Sequence, residues 1–355
     1  MSITANVVVQ VQKDGPLEIR ELPLPDPGPH QVSVRILATG LCQSQIWWMH
    51  NPRERPVLFG HEGYGVVAKT GSAVKDLSEG DYVLVTWLPR MGSDGRLPEV
   101  STLDVGGGQI GAAPNVFTWA DYTLADELYL RKLTGSHSPA LAIVGCAVIT
   151  GAGAVLNSAG AKKGDRIAVF GAGGVGLCAT TAASIVGAEE VIAVDISDEK
   201  LAFSRKFGAT QTVNSMQGDP VKAVHDLLPG GCGCCSGADI ALDCVGLPQT
   251  TLQAYGSLRD GRVGIERGGK AVVVGLPKAN CDLPALDMVM KEKTVVGSLA
   301  GSCRQEQIDE FVDWYRDGLL DLDGLITDRI GFDAIAEGAG RLARGEIEGR
   351  ALALM

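Results

Sequence analysis

Two residues with metal-ligand chemistry stand 19 positions apart: Cys42 in Thr39-Gly40-Leu41-Cys42-Gln43-Ser44, and His61 in Gly60-His61-Glu62-Gly63. A thiolate and an imidazole are typical zinc ligands. Taken alone, each also has a plainer reading, Cys42 as a small buried residue and His61 as a turn residue, and the two motifs by themselves leave both open. A second stretch has the pattern of a phosphate cradle. Gly171, Gly173 and Gly176, with Gly174 and Val175 between them, fit G-x-G-x-x-G. In that pattern the glycines allow a tight turn, close approach of backbone to a pyrophosphate, and tight packing of the following helix. Helix N–H groups would then point at the phosphates. Asp195, about 20 positions further on, suits hydrogen bonding to the hydroxyls of an adenosine ribose. A carboxylate there repels a 2′-phosphate, which favours NAD over NADP.

These groups need elements to hold them. Residues 166–170 and 191–194 read as buried parallel strands flanking a helix over about 175–186. Before them, residues 7–9, 32–36, 65–67 and 82–85 read as short strands broken by Gly, Pro and Asp, which suggests a small irregular β-barrel or sandwich. Cys42 would then sit at the end of one strand and His61 at the start of the next. At 355 residues, 45% of them hydrophobic, the chain has length for two domains. A net charge of −11 offers no basic stripe for nucleic acid. Residues 139–161 are the most apolar stretch, but Ala and Gly dominate it, so a buried helix pair is expected rather than a membrane span. Residues 1–12 lack the blocks of a signal peptide. Together with nine cysteines, this points to reduced thiols and a cytoplasmic location.

Further motifs lie in the same order along the chain: Gly80-Asp81-Tyr82-Val83, and Gly145-Cys146 followed by Thr150-Gly151. With the Cys42, His61 and glycine-rich motifs, nearly the whole chain resembles the zinc-dependent alcohol dehydrogenases of the medium-chain dehydrogenase/reductase superfamily. The resemblance implies an α/β protein, with a Rossmann doubly wound parallel sheet inserted in a GroES-like irregular β-barrel catalytic domain. It places the catalytic domain at 1–147 and 300–355 and the NAD-binding domain at 148–299. It makes Cys42, His61 and Cys146 the ligands of a catalytic zinc, with Glu62 as a nearby carboxylate able to join them. Two thiolates and an imidazole leave a fourth position open, and zinc lowers the pKa of an oxygen bound there. Ser44 would start a proton relay, Thr150 would pack against the nicotinamide, and Trp87 would wall the substrate pocket. Lys200 would approach the ribose, Val245 would lie beside the adenine, and Arg350 would clamp the pyrophosphate. Val274 and Ser298, at the ends of later strands, complete the implied cofactor set.

The implied activity is hydride transfer between NAD(H) and a primary or secondary alcohol, aldehyde or ketone, in a homodimer or homotetramer. Two alternatives accompany it: a nicotinoprotein that keeps its NAD(H), and a non-catalytic dinucleotide sensor. A sensor would not need Cys42, Ser44, His61, Glu62 and Cys146 together.

The sequence departs from the family pattern in several places. The residue after Ser44 is usually an Asp that orients the zinc-bound His; here it is Gln45, a neutral amide able to accept the same hydrogen bond. The relay's usual terminal His is Trp47, so the relay ends at His50 or in water. Many relatives carry four cysteines for a structural zinc, whereas this chain has none between Cys42 and Cys146. One zinc per subunit is therefore expected, with a long loop or lid over residues 88–114. Arg53 and Arg55, beside Trp47 and Trp48, read either as a cationic rim of the pocket or as solvated arginines of a surface loop whose tryptophans pack on the barrel, the latter favoured.

The β–α alternation continues after Asp195. Residues 238–243, 270–274 and 294–298 are further strands of a six-stranded sheet, with a helix over 197–207. Residues 255–269 carry a small insertion with Arg259, Arg262 and Arg267. Cys232, Cys234 and Cys235 read as an exposed Gly-rich loop. Residues 305–318 and 332–342 show helical spacing, and 349–354 returns as a strand.

Overall fold

A computed structural model describes residues 3–135, 137–230, 236–277 and 279–355; Cys232, Cys234 and Cys235 lie outside them. The chain divides into two compact units, one of Met1–Cys146 with Arg304–Met355, the other of Ala147–Cys303.

The first unit is built on two sheets. Seven strands form the larger, with Leu130–Lys132, Tyr82–Thr86, Glu62–Thr70, Gln31–Leu41, Arg350–Leu354 and Ile326–Gly331 in that order, and Tyr122–Asp126 also paired to Gln31–Leu41. Five strands form the smaller, in the order Glu18–Leu24, Ile3–Gln10, Val57–Leu58, Ile110–Ala112, Thr102–Asp104. All four expected strands fall inside observed ones. Gln31–Leu41 and Glu62–Thr70 are antiparallel neighbours with Thr39 opposite Gly63, which brings the two ligand motifs to the same end of the sheet. Val32, Val34, Ile36, Val67, Val83 and Val85 pack a core beneath them.

Residues 88–114 are not a free loop or lid. Thr102–Asp104 and Ile110–Ala112 form a hairpin that extends the smaller sheet, and Leu103, Val105 and Ala113 bury into its core. Arg96 ties the preceding stretch down through Asp126 and Glu127. The three consecutive glycines 106–108 are the hairpin turn rather than a mark of disorder.

The second unit is a six-stranded parallel sheet in the order Gln211–Asn214, Glu190–Asp195, Arg166–Phe170, Ile240–Asp243, Lys270–Val273, Thr294–Gly297. This is the doubly wound order, with its crevice where the direction of winding reverses, between Arg166–Phe170 and Ile240–Asp243. The five strands located by sequence are present. The sixth, Gln211–Asn214, buries only Val213 and has no apolar run to announce it. Gly176 opens the first helix, Gly174–Ile185, where a Cβ would stand 1.7 Å from the Gly171 carbonyl oxygen. Only glycine permits this turn of the chain. Residues 139–159 form short buried helical segments, Pro139–Gly145 in the first unit and Ala147–Gly153 and Ala154–Ala159 in the second. Among the described residues no single helix is long and apolar enough to cross a membrane.

Candidate active site

In the first unit, Cys42 caps the N-terminus of the helix Gln43–His50, directly after the strand Gln31–Leu41. His61 precedes Glu62–Thr70, and Cys146 follows the 3-10 turn Pro139–Gly145. Their ligand atoms all lie within 4.8 Å of one another. Cys42 Sγ is 3.8 Å from Cys146 Sγ, and His61 Nε2 is 3.2 Å from Cys146 Sγ. A tetrahedral zinc with bonds of about 2.3 Å to sulfur separates two sulfurs by about 3.8 Å. The donor set and its spacing therefore fit zinc.

Electrostatics point the same way. Both thiols are buried, at 7% and 5% exposure. A hydrogen bond from Cys146 holds Cys42 well below the usual thiol range. The same bond, with burial and repulsion by Cys42, pushes Cys146 well above it. Two adjacent buried thiols do not both ionise unaided; a dication among them is what allows it.

Around this trio the structure sorts the remaining candidates. Ser44 donates its hydroxyl to Cys42 Sγ at 3.2 Å. The Trp87 ring is tilted against His61 at 6.2 Å between centroids. Thr86, not singled out by sequence, fixes this corner: its hydroxyl donates to the Gly145 carbonyl and accepts the Leu88 N–H. Glu62 is fully buried next to His61, and its carboxylate accepts from the Arg350 guanidinium. Among the described residues it is not one of the clustered ligands.

The Gln45 amide does not accept from His61. Its oxygen takes the Gly60 N–H at 2.7 Å, and its nitrogen faces His61 Nδ1 at 2.5 Å. Gly60 has φ +86, a left-handed conformation that turns its N–H toward Gln45 and delivers His61 to the site.

His50 ends the helix, exposed and paired with Asp14. Six residues of helix, about 9 Å, separate it from Ser44, so no direct hydrogen bond joins them. Arg53 is structural: it donates to the Trp48 carbonyl and to Gln10, capping the helix. Arg55 is exposed, and Trp47 and Trp48 stack edge to face on the helix.

In the second unit, the candidates gather at the C-terminal edge of the parallel sheet. Phe170, which leads into Gly171, is in register with Val194 on one side and Asp243 on the other, and Asp243 with Val273. The turns that follow carry Asp195, Val245, Val274 and Ser298 along one edge. Asp195 Oδ2 accepts the Ala172 N–H at 2.7 Å and Oδ1 the Ile196 and Ser197 N–H groups. These bonds aim the carboxylate beside the glycine turn and leave lone pairs for further donors. Ser197 caps the helix Asp198–Ser204, which carries Lys200 in its first turn. Ser298 hydrogen-bonds Ser158 at 2.7 Å. Thr150 lies in the helix Ala147–Gly153.

Residues 28–135 match the family described as alcohol dehydrogenase GroES-like domain, and residues 174–317 match zinc-binding dehydrogenase. An alcohol dehydrogenase of Geobacillus stearothermophilus is 31% identical over 348 residues, covering 94% of each chain. Alcohol dehydrogenase-like 7 of Arabidopsis thaliana is 29% identical, covering 97% of this chain and 94% of its own. Among solved structures, an alcohol dehydrogenase zinc-binding domain protein from Burkholderia ambifaria superposes with a TM-score of 0.88 at 27% identity, covering 100% of both chains. The benzyl alcohol dehydrogenase of Acinetobacter calcoaceticus gives a TM-score of 0.85 at 25% identity, covering 99% of each.

Proposed function

The chain belongs to the zinc-type alcohol dehydrogenases of the medium-chain dehydrogenase/reductase superfamily, and from that premise we propose how its own residues divide the work. The reaction is NAD(H)-linked, zinc-dependent interconversion of an alcohol with its aldehyde or ketone. The observation that carries this reading is the Cys42–His61–Cys146 cluster, its thiols buried and its imidazole half-buried, whose 3.8 Å sulfur spacing suits a tetrahedral ion.

When bound, zinc supplies Lewis acidity that lowers the pKa of a substrate hydroxyl, and NAD+ takes the hydride. Cys42 and Cys146 would hold the metal as thiolates and His61 through Nε2, a donor set typical of catalytic zinc. Ser44, whose hydroxyl lies against Cys42 Sγ, accepts the proton that the alcohol gives up and passes it to solvent, since His50 is turned away to Asp14. Trp87 forms an apolar wall that excludes water. Glu62 and Arg350 neutralise each other next to His61.

The unit Ala147–Cys303 is the NAD-binding domain, and Met1–Cys146 with Arg304–Met355 the catalytic domain. Gly171, Gly173, Gly174, Val175 and Gly176 receive the pyrophosphate, Asp195 and Lys200 the adenosine ribose, and Val245 the adenine. Thr150 packs against the nicotinamide, and Val274 and Ser298 complete the cofactor set. A cytoplasmic homodimer or homotetramer is proposed on family grounds alone.

Elemental analysis of protein purified without added metal tests the proposal together with Cys42→Ser. The wild type should carry about one zinc per subunit and oxidise alcohols with NAD+. The variant should lose zinc and turnover yet still quench or shift NADH fluorescence. Undiminished turnover in Cys42→Ser refutes the assignment.

A further inference from the structure

Gln45 sits buried at 2% exposure in the helix that begins at Cys42, and it meets both Gly60 and His61. A carboxamide has one acceptor oxygen and one donor nitrogen. Here the oxygen is committed to the buried Gly60 N–H, so the NH2 faces His61 Nδ1. A ring nitrogen facing a donor can only accept. That places the proton of the neutral ring on Nε2, the nitrogen 3.2 Å from Cys146 Sγ. Coordination through Nε2 demands the opposite: a lone pair on Nε2 and the proton on Nδ1. Nδ1–H would then point at an NH2, donor against donor. No other group among the described residues is hydrogen-bonded to Nδ1.

We propose that zinc uptake at this centre is coupled to a half-turn of the Gln45 amide, which makes Gln45 the positioning residue that sets how tightly zinc is held. Rotation about Cγ–Cδ exchanges Oε1 and Nε2. It gives Nδ1–H its acceptor but leaves the Gly60 N–H facing the NH2, so the two buried hydrogen bonds of the observed amide give way to one. A carboxylate of the same length has two acceptor oxygens. It serves Gly60 N–H and Nδ1–H together, with no turn and no bond forgone, and adds negative charge to the imidazole. The neutral amide therefore makes this zinc more exchangeable than a carboxylate would. The inference rests on the functional reading above, since it concerns the same zinc.

The test uses the full-length wild type and Gln45→Glu, each prepared zinc-free with a chelator and then titrated with zinc against a chromogenic chelator. Gln45→Glu should bind zinc about ten- to a hundredfold more tightly and release it more slowly. Nitrogen NMR of histidine-labelled protein supplies a readout that a merely structural role would not move. With five histidines in the chain, a His61→Asn difference spectrum assigns the ring. In the wild type at about pH 8, where an ordinary imidazole is neutral, Nδ1 should be unprotonated without zinc and protonated with it. A protonated Nδ1 in the zinc-free wild type overturns the inference, as does equal zinc affinity in the two proteins, while leaving the dehydrogenase reading intact. A wild type that takes up no zinc at all overturns both. The wild-type spectra decide the matter even where Gln45→Glu does not fold.

Discussion

Replacing Arg350 with Met isolates the charge that most depends on the fold. Arg350 and Glu62 are 288 positions apart in the chain, are 5% and 0% exposed, and meet as a buried ion pair. Arg350→Met keeps much of the volume and removes the guanidinium charge that Glu62 meets in the interior. The cheapest response is for Glu62 to take up a proton. From an ordinary Glu pKa of about 4.3, holding it protonated at pH 7 costs about 1.4 kcal/mol per unit, or about 4 kcal/mol. That agrees with the roughly 3–5 kcal/mol found when one partner of a buried pair is removed. The direction with pH follows. The variant's folded Glu62 binds a proton more readily than the unfolded chain does, so the penalty grows as pH rises and shrinks as it falls. At about pH 5.5 the same arithmetic leaves about 1.6 kcal/mol. Urea unfolding of zinc-free protein, followed by tryptophan fluorescence at both pH values, reads the difference. Glu62→Gln in the Arg350→Met background should recover most of the loss and completes a double-mutant cycle. A loss below about 1 kcal/mol at pH 7, or one of the same size at both pH values, refutes the reasoning.

Two further outcomes are expected. Asp195→Ala should weaken NAD binding about tenfold or more, since hydrogen bonds to a charged group are lost, and leave NADP much less affected; fluorescence titration with both cofactors measures it, and an equal loss for the two removes the basis for NAD preference. Asp239 is partly buried, which raises its carboxyl pKa, but the Arg166 N–H and the Arg259 and Arg166 side chains outweigh this and hold it below the usual range. Its contribution is therefore complete above about pH 4 and lost as pH falls through the lowered value. Asp239→Asn should cost about 1–3 kcal/mol at pH 7 and progressively less in acid; a cost that does not change between about pH 7 and pH 3 in urea unfolding contradicts this.

Local backbone requirements are legible in a sequence because they act over a few residues. The glycine turn at 171–176 is set by a carbonyl that no Cβ can approach. The buried parallel strands announce themselves by continuous apolar runs, and Ser197 by its place before a helix. Gln211–Asn214 and Ile326–Gly331 are not legible for the converse reason: each is a strand because its neighbours present an open edge, not because its own residues demand it. The hairpin inside 88–114 is hidden in the sequence because Gly, Pro and Asp dominate the segment, and only the fold buries Leu103 and Val105. Cys42, His61 and Cys146 could be picked out by type and by resemblance, yet their 3.8 Å and 3.2 Å spacings exist only because antiparallel pairing carries two strand ends together.

Residue types and short spacings thus determined which groups could bind metal and nucleotide. Tertiary structure alone decided their partners. It gave the Gln45 oxygen to Gly60 rather than to His61, turned His50 toward Asp14, made Arg53 a helix cap, and set Arg350 on Glu62. The physical reason is that a buried polar group must find its partner among whatever the packing brings within about 3 Å. Which groups those are depends on the path of the whole chain.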